Sequence, residues 1–165
     1  MSYDVQFARQ SLSALFDLKG QPEAIESWVK DLLPSLPKQP NTRIGQGGAE
    51  LYHVGRNHWI VRTGPNREQE YEERLKPADC PEDISIVRIS DMLTFFRVAG
   101  PEAADVMAIA CPLDLNETIF GPDDVTYSEV FGLKALVTRC DGGFEFAVEQ
   151  SFGDMIEDYL ARATA

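Results

Sequence analysis

The amino-acid sequence predicts an α+β fold, in which two similar halves each combine mainly antiparallel strands with covering helices. Three observations support this prediction. Short apolar or alternating stretches typical of strands occur beside stretches with the three-to-four-residue spacing of amphipathic helices. The same order of elements occurs twice, over about residues 12–76 and 84–163. The chain has 165 residues, a length typical of a single domain, 1–165.

The first half begins with an apolar stretch, residues 12–18, which predicts a strand. Pro22 suits the first turn of a helix. The apolar face of that helix follows the i, i+3, i+4, i+7, i+8 pattern of Ile25, Trp28, Val29, Leu32 and Leu33. Residues 40–48 predict a flexible, glycine-rich loop, because they have turn residues and no helix follows them. Strands at 50–54 and 58–63 and a polar helix ending at Leu75 complete this half.

The second half predicts strands at residues 84–88 and 93–98, and then a helix that Pro112 stops. Strands at 125–131, 135–140 and 144–148 follow, the last two joined by a tight turn at Asp141-Gly142-Gly143. Ser151 has a side chain typical of a helix N-cap. Asp154, three residues later, has the position from which a side chain can accept a hydrogen bond from the N-cap amide. The last helix has an apolar face formed by Phe152, Met155, Ile156, Tyr159 and Leu160.

The two halves also resemble each other in sequence. The stretch from Phe16 to Ala24 (FDLKGQPEA) matches that from Phe96 to Ala103 (FRVAGPEA), and Trp59 and Phe144 occupy matching places after their turns. This similarity favours a duplicated module, with chance agreement of common element orders as the alternative.

Composition narrows the classes of partner. The net charge of −12 disfavours binding to nucleic acid and to anionic membranes, because both carry negative phosphates. The three cysteines form no CxxC pair, which argues against a secreted disulfide scaffold. We expect a cytoplasmic chain, since the first ten residues show no signal peptide and no apolar run has membrane-spanning length.

Motifs for chemistry are missing from the sequence. His53 and His58 flank a turn but have only Glu50 and Cys80 as possible further ligands, so we interpret them as partly exposed strand residues. Residues 45–48 (GQGG) lack the phosphate-loop lysine and precede a strand rather than a helix. Cys111 ends a helix, where a small buried hydrophobe is the better interpretation. The sequence therefore predicts no catalytic, cofactor-binding or metal-binding residues.

Three stretches resemble the gamma-subunit family of heterotetrameric sarcosine oxidase: residues 52–61 (YHVGRNHWIV), 98–115 followed by Phe120, and 144–160. The most specific match is the segment Cys111, Pro112, Leu113, Asp114 and Leu115. The resemblance implies the folate-binding, aminomethyltransferase-like fold. It also nominates 111–115 as a segment that either contacts partners or has a purely structural role, in which Leu113 and Leu115 fill the core.

By the same resemblance, the chain is a non-catalytic subunit of a complex that oxidatively demethylates a secondary amine. Its partners are the alpha and beta flavoprotein subunits. The complex that it resembles uses FAD, FMN, NAD and tetrahydrofolate, none of them bound by this chain. The alternatives are a free-standing folate-binding, aminomethyltransferase-like protein and an unrelated small binding module.

Overall fold

The computed structural model describes residues 2–75 and 77–165, and it confirms the α+β class. The strands in these ranges form two five-stranded sheets, and all their pairings are antiparallel. The chain divides into two compact units. One, the 12–91 unit, is Leu12–Asp91, and the other, the 92–165 unit, is Met92–Ala165 with the residues up to Ser11. The single domain expected from chain length stays a prediction.

The elements follow one another in an order close to the predicted one. In the first stretch of chain they are β1 (Gln6–Arg9), β2 (Ala14–Gly20), α1 (Pro22–Val29), β3 (Arg43–Gln46), β4 (Ala49–Gly55), β5 (His58–Thr63), α2 (Glu68–Leu75) and β6 (Ile84–Arg88). In the second they are β7 (Leu93–Ala99), α3 (Ala103–Ala110), β8 (Val125–Val130), β9 (Leu133–Cys140), β10 (Gly143–Glu149) and α4 (Gly153–Ala163).

Both units share one sheet topology. The strand orders are β3-β4-β5-β2-β6 in the 12–91 unit and, read in the matching direction, β8-β9-β10-β7-β1 in the 92–165 unit. Leu18 of β2 lies opposite Trp59 of β5, as Val98 of β7 lies opposite Phe144 of β10. The predicted equivalence of Trp59 and Phe144 therefore holds in the register of the strands.

One of the two edge strands of each sheet comes from an unexpected place in the chain. β6 was predicted to open the second half, but it pairs with β2 of the 12–91 unit. Its counterpart in the 92–165 unit is β1, which pairs with β7 and was not predicted. The boundary between the units thus lies near residue 91 instead of in the 77–83 connector.

Two equivalent glycines mark where these edge strands begin. A Cβ on Gly20 would lie 2.9 Å from the carbonyl oxygen of Asp83, and one on Gly100 would lie 2.5 Å from that of Asp4. Both glycines have positive φ, 153° and 139°. The edge strands therefore approach the same point of each unit, where only glycine leaves room for the neighbouring backbone.

Each unit has its own core between its helices and one face of its sheet. In the 12–91 unit the core includes Phe16, Leu18, Ile25, Leu51, Trp59, Val61, Tyr71 and Leu75. In the 92–165 unit it includes Phe96, Val98, Val106, Met107, Val137, Phe144, Phe146, Ile156 and Leu160. Among them, Ile25 of α1 and Ile156 and Leu160 of α4 belong to the apolar helix faces that the sequence periodicity predicts.

Helix α1 is shorter than predicted. It ends at Val29, because Lys30 has a positive φ of 48° and a ψ of −121°, which no helix allows. Leu32 and Leu33 nevertheless lie buried in the core. The apolar pattern was correctly interpreted as buried, but Leu32 and Leu33 reach the core from the turn after α1 and not from the helix.

The predicted cap of the last helix is wrong. The Ser151 hydroxyl donates to Glu149 Oε1 at 2.8 Å, and a 3-10 turn, Gln150–Phe152, precedes α4. Phe152 was predicted as core but is 37% exposed. The 3-10 turn rotates both side chains away from the face on which Ile156 and Leu160 are buried.

Candidate functional site

The predicted segment 111–115 leaves helix α3 in an extended conformation, so its side chains alternate. Cys111, with φ −129° and ψ 129°, is buried, as predicted, and its thiol lies 3.9 Å from Ser128 Oγ. Leu113 and Leu115 are partly buried against the core of the 92–165 unit, whereas Pro112 and Asp114 are exposed. The segment therefore has one side for the core and one for solvent.

Two successive side-chain turns fix the residues that follow. Asp114 Oδ1 accepts a hydrogen bond from the Asn116 amide at 3.0 Å. Asn116 Oδ1 accepts from the amide and hydroxyl of Thr118, at 3.0 and 2.8 Å. Such turns hold a loop in one shape without regular structure. Ile119 is 65% exposed at the end of this loop.

Arg139 of β9 anchors the same loop and was missed in the sequence. Its guanidinium donates to the carbonyl oxygens of Leu115 and Phe120, the latter at 2.9 Å, and lies 4.7 Å from the centre of the Phe144 ring. Arg139 and Phe144 are direct partners across β9 and β10. An arginine that follows the apolar middle of a strand is the signal that points to such a half-buried anchor.

The two histidines lie on opposite faces of their hairpin and have different partners. His58 Nε2 contacts Asp17 Oδ1. The other oxygen of the same carboxylate, Oδ2, lies 3.0 Å from Lys19 Nζ. His53 was expected to be partly exposed, but it is buried and stacks on Trp59. Within the described ranges, no group of three or more His, Cys, Asp or Glu side chains is arranged to hold a metal ion.

His53 and Trp59 also hold the segment that follows Leu36. His53 Nδ1 lies 2.9 Å from the Gln39 carbonyl oxygen, and the Trp59 indole N–H donates to that of Pro37 at 3.2 Å. Backbone hydrogen bonds join Asn41 and Thr42 to His53, at 3.0 and 2.9 Å. Together with α1 these groups enclose a cavity of about 780 Å³ in the 12–91 unit.

Glu50, the other possible ligand considered from sequence, belongs to a polar network. Its carboxylate accepts hydrogen bonds from the Tyr52 hydroxyl at 2.6 Å and from Arg43 at 3.2 Å. Complete burial raises the pKa of Tyr52 far above its ordinary value; nearby Arg62 opposes this rise and Glu50 adds to it. The network thus keeps a neutral phenol beside a paired carboxylate.

The glycine-rich residues 45–48 form a hairpin instead of the predicted flexible loop. β3 pairs with β4 through a two-residue turn at Gly47 and Gly48, whose φ values are 62° and 78°. Both values are those of the tight turn that suits paired strands. Arg67 donates to the Gly47 carbonyl oxygen at 2.8 Å and fixes the turn.

No helix among the described residues is both long and apolar enough to span a bilayer. No family model matches the sequence, and no curated protein matches it.

Solved structures do match. Heterotetrameric sarcosine oxidase from Corynebacterium sp. U-96, in complex with pyrrole 2-carboxylate, gives a TM-score of 0.82 at 17% identity, over 97% of this chain and 83% of that one. Glycine cleavage system aminomethyltransferase T from Bartonella henselae gives 0.71 at 14% identity, over 96% of this chain and 46% of that one. This chain thus spans about half the length of the aminomethyltransferase. The predicted aminomethyltransferase-like fold is confirmed, and the chain shares it with a chain of a heterotetrameric sarcosine oxidase.

Proposed function

We propose that this chain is a non-catalytic subunit, of the gamma type, in a sarcosine oxidase-like complex that oxidatively demethylates a secondary amine. The observation that carries the proposal is the match to the oxidase chain, which covers 97% of this chain and 83% of that one. A chain only slightly longer than this one is the size of a small subunit. The matched oxidase is heterotetrameric, which supports an assembly role.

The partners in this proposal are the alpha and beta flavoprotein subunits, and the complex is cytoplasmic. FAD, FMN, NAD and tetrahydrofolate belong to those subunits, and this chain binds none of them. Its contribution is to the assembly and stability of the complex, within sarcosine and one-carbon metabolism.

We place the partner contact on the loop that begins at the 111–115 segment. Leu113 and Leu115 fix the segment to the core, while Asp114 and Ile119 face solvent on a loop that Arg139 anchors. A rigid loop loses little conformational entropy on binding, which favours its use as a contact surface. In this proposal the structural role belongs to Leu113 and Leu115, and the partner contact belongs to Asp114.

Co-expression with the two flavoprotein subunits tests the proposal. The wild-type chain should co-purify with them, and Asp114→Lys should reduce its recovery in the complex. Asp114→Asn keeps an oxygen for the Asn116 amide and removes only the charge, so it separates the loop shape from the electrostatic contact. Glu157→Lys, an exposed charge reversal on α4, is the matched control.

The unfolding midpoint of each isolated variant must be measured alongside. Asp114→Lys should unfold within about 1 kcal/mol of wild type, because the loop loses one hydrogen bond in solvent. A much larger loss of stability with normal assembly of the surviving chain would show a structural role. Failure of the wild-type chain to associate with the flavoproteins would contradict the subunit proposal itself.

The alternative, a free-standing folate-binding protein, predicts different behaviour of the isolated chain. It should then bind tetrahydrofolate or catalyse demethylation by itself, without the flavoprotein subunits. Calorimetric titration with tetrahydrofolate and an assay for formaldehyde release decide between the two.

A further inference from the structure

The cavity in the 12–91 unit has the size of a small-ligand site. It lies between the start of α1, residues 36–41 and the turn from β4 to β5, and its volume is about 780 Å³. Sites for small molecules enclose roughly 300–1,000 Å³ and combine an apolar lining with a few polar groups. The proposed assembly role does not use this cavity.

The inner lining is apolar and already held in place. Leu36 and Pro37 are buried at the cavity wall, and Trp59 is 2% exposed behind them. The indole N–H of Trp59 is taken by the Pro37 carbonyl oxygen, so this ring offers only apolar surface to a ligand. A ligand therefore meets a formed wall instead of having to order the segment itself.

His53 supplies an open hydrogen-bond acceptor at this wall. A carbonyl oxygen only accepts, so the contact between Nδ1 and the Gln39 oxygen places the proton of the neutral ring on Nδ1. Nε2 is then an acceptor. It has no hydrogen-bond partner among the described residues. It is also not fully enclosed, unlike the two buried unpartnered side-chain atoms of those residues, Trp28 Nε1 and Gln150 Oε1. Since the ring is 6% exposed and borders the cavity, Nε2 suits an N–H donor of a ligand.

The rim carries charges of both signs. Glu23 and Glu26 lie on α1, Lys38 lies on the segment after Pro37, and Arg56 lies in the turn between β4 and β5. None of the four makes an ion pair within the described chain. One oxygen of Glu26 accepts from the Leu36 amide at 3.3 Å, and the other is unengaged.

We propose that this cavity binds a small zwitterion with an apolar body, of the class of amino acids with an apolar or aromatic side chain. The apolar body lies against Leu36 and Pro37, with Trp59 behind them. The ammonium group donates to His53 Nε2 and faces the α1 carboxylates. The carboxylate group faces the cations of the rim.

Three probes with one ring and different charges test this proposal on the full chain: phenylalanine, 3-phenylpropionate and phenethylamine. The chain contains two tryptophans, so Trp28→Phe leaves Trp59 as the only indole reporter. Added phenylalanine should change the fluorescence of Trp59, and the change should saturate as the ligand concentration rises. Each single-charge probe should bind about tenfold more weakly, because it lacks one charge-assisted hydrogen bond.

Variants of the rim and wall locate the binding. Lys38→Ala with Arg56→Ala should weaken the binding of phenylalanine about tenfold and leave that of phenethylamine unchanged. Glu23→Gln with Glu26→Gln should also weaken the binding of phenylalanine about tenfold, but it should leave that of 3-phenylpropionate unchanged. His53→Phe keeps an aromatic stack and removes both the acceptor and the hydrogen bond to Gln39, so it should weaken both amines, while unchanged binding of 3-phenylpropionate shows that the wall is intact. Lys134→Ala, in the other unit, is the control for a changed net charge. Equal binding of all three probes, or no binding of phenylalanine up to its solubility, would overturn the proposal.

Discussion

The imidazole of His53 stacks on the indole of Trp59, with ring centres 4.9 Å apart and planes inclined by 25°. The two rings are direct partners across β4 and β5, and both hold the backbone of residues 37–39 through hydrogen bonds. A pair of strand residues thus fixes a long connection that has no regular structure of its own.

The first prediction concerns this pair. His53→Ala should destabilise the chain by about 2–3 kcal/mol, because it removes a buried stack and leaves the Gln39 carbonyl without its partner. Denaturant unfolding measures the loss. His58→Ala, on the other face of the hairpin, should cost less, since that side chain is only half-buried. Equal losses for the two variants would contradict the anchoring role of His53.

The second prediction concerns Gly143, at the start of β10. A Cβ at this position would lie 2.1 Å from the Val98 carbonyl oxygen and 2.8 Å from the Ala99 Cα, both in the neighbouring strand. Gly143→Ala should therefore cost at least about 2 kcal/mol, because the backbone must move. Gly45→Ala is the matched control, since its nearest neighbour would be 3.8 Å away. Wild-type stability of Gly143→Ala would show that β10 can shift freely.

The third prediction concerns the entry to α4. Ser151→Ala should change the free energy of unfolding by less than about 0.5 kcal/mol, because Ser151 makes no capping hydrogen bond. Ile156→Ala, in contrast, should cost about 2–5 kcal/mol, since Ile156 is fully buried. Thermal or denaturant unfolding compares the two variants. A loss near 1 kcal/mol for Ser151→Ala would restore the capping interpretation.

The fourth prediction is a pH dependence at Tyr52. Burial raises the pKa of its phenol, so the unfolded chain releases that proton at a lower pH than the native one. Stability is then intact below about pH 10, the ordinary value for tyrosine, and falls as the pH rises further. Tyr52→Phe should make this alkaline fall shallower, by an amount that approaches about 1.4 kcal/mol per pH unit above about pH 10. Urea unfolding from about pH 8 to about pH 11 measures the slope; an unchanged slope would contradict the prediction.

The fifth prediction concerns the Arg139 anchor. Arg139→Met keeps much of the apolar stem and removes both hydrogen bonds to the loop, so two carbonyl oxygens lose a charged donor. We expect a loss of about 2–3 kcal/mol and faster amide hydrogen exchange between residues 115 and 121. Arg97→Met is the control, since Arg97 is exposed and its Nη2 donates to the Asp141 carbonyl oxygen. Unchanged exchange in Arg139→Met would show that the side-chain turns suffice.

The repeated apolar patterns made the two cores predictable. Phe16 and Phe96, or Trp59 and Phe144, have equivalent places because burial selects the same residue types at the same spacing. β1 and β3 were not predicted, because neither of these two edge strands contains a fully buried residue and so each carries little apolar signal. The positive φ of Lys30 and the 3-10 turn before α4 likewise leave no periodic signal in the sequence.

The predicted motif at 111–115 lies where expected, at the end of α3, but its surroundings were not predictable. The hydrogen bonds of Arg139 join residues about 20 positions apart, and only the register of β9 and β10 brings the arginine there. The cavity beside Trp59 likewise depends on how residues 36–42 lie against β4. Such contacts arise from tertiary packing, for which single-residue patterns give no signal.

Because β1 precedes the 12–91 unit in the chain but belongs to the 92–165 unit, the chain can be reordered by circular permutation. Near the two ends of the chain, the amide of Tyr3 donates to the Thr164 carbonyl oxygen at 3.3 Å, so a short linker can join them. A circular permutant opened between Ser11 and Leu12 would then run through the 12–91 unit first and through the whole 92–165 unit, β1 included, afterwards. In that permuted chain each unit is one uninterrupted stretch, and a single protease site near residue 91 would cut the chain between the two units without cutting either of them.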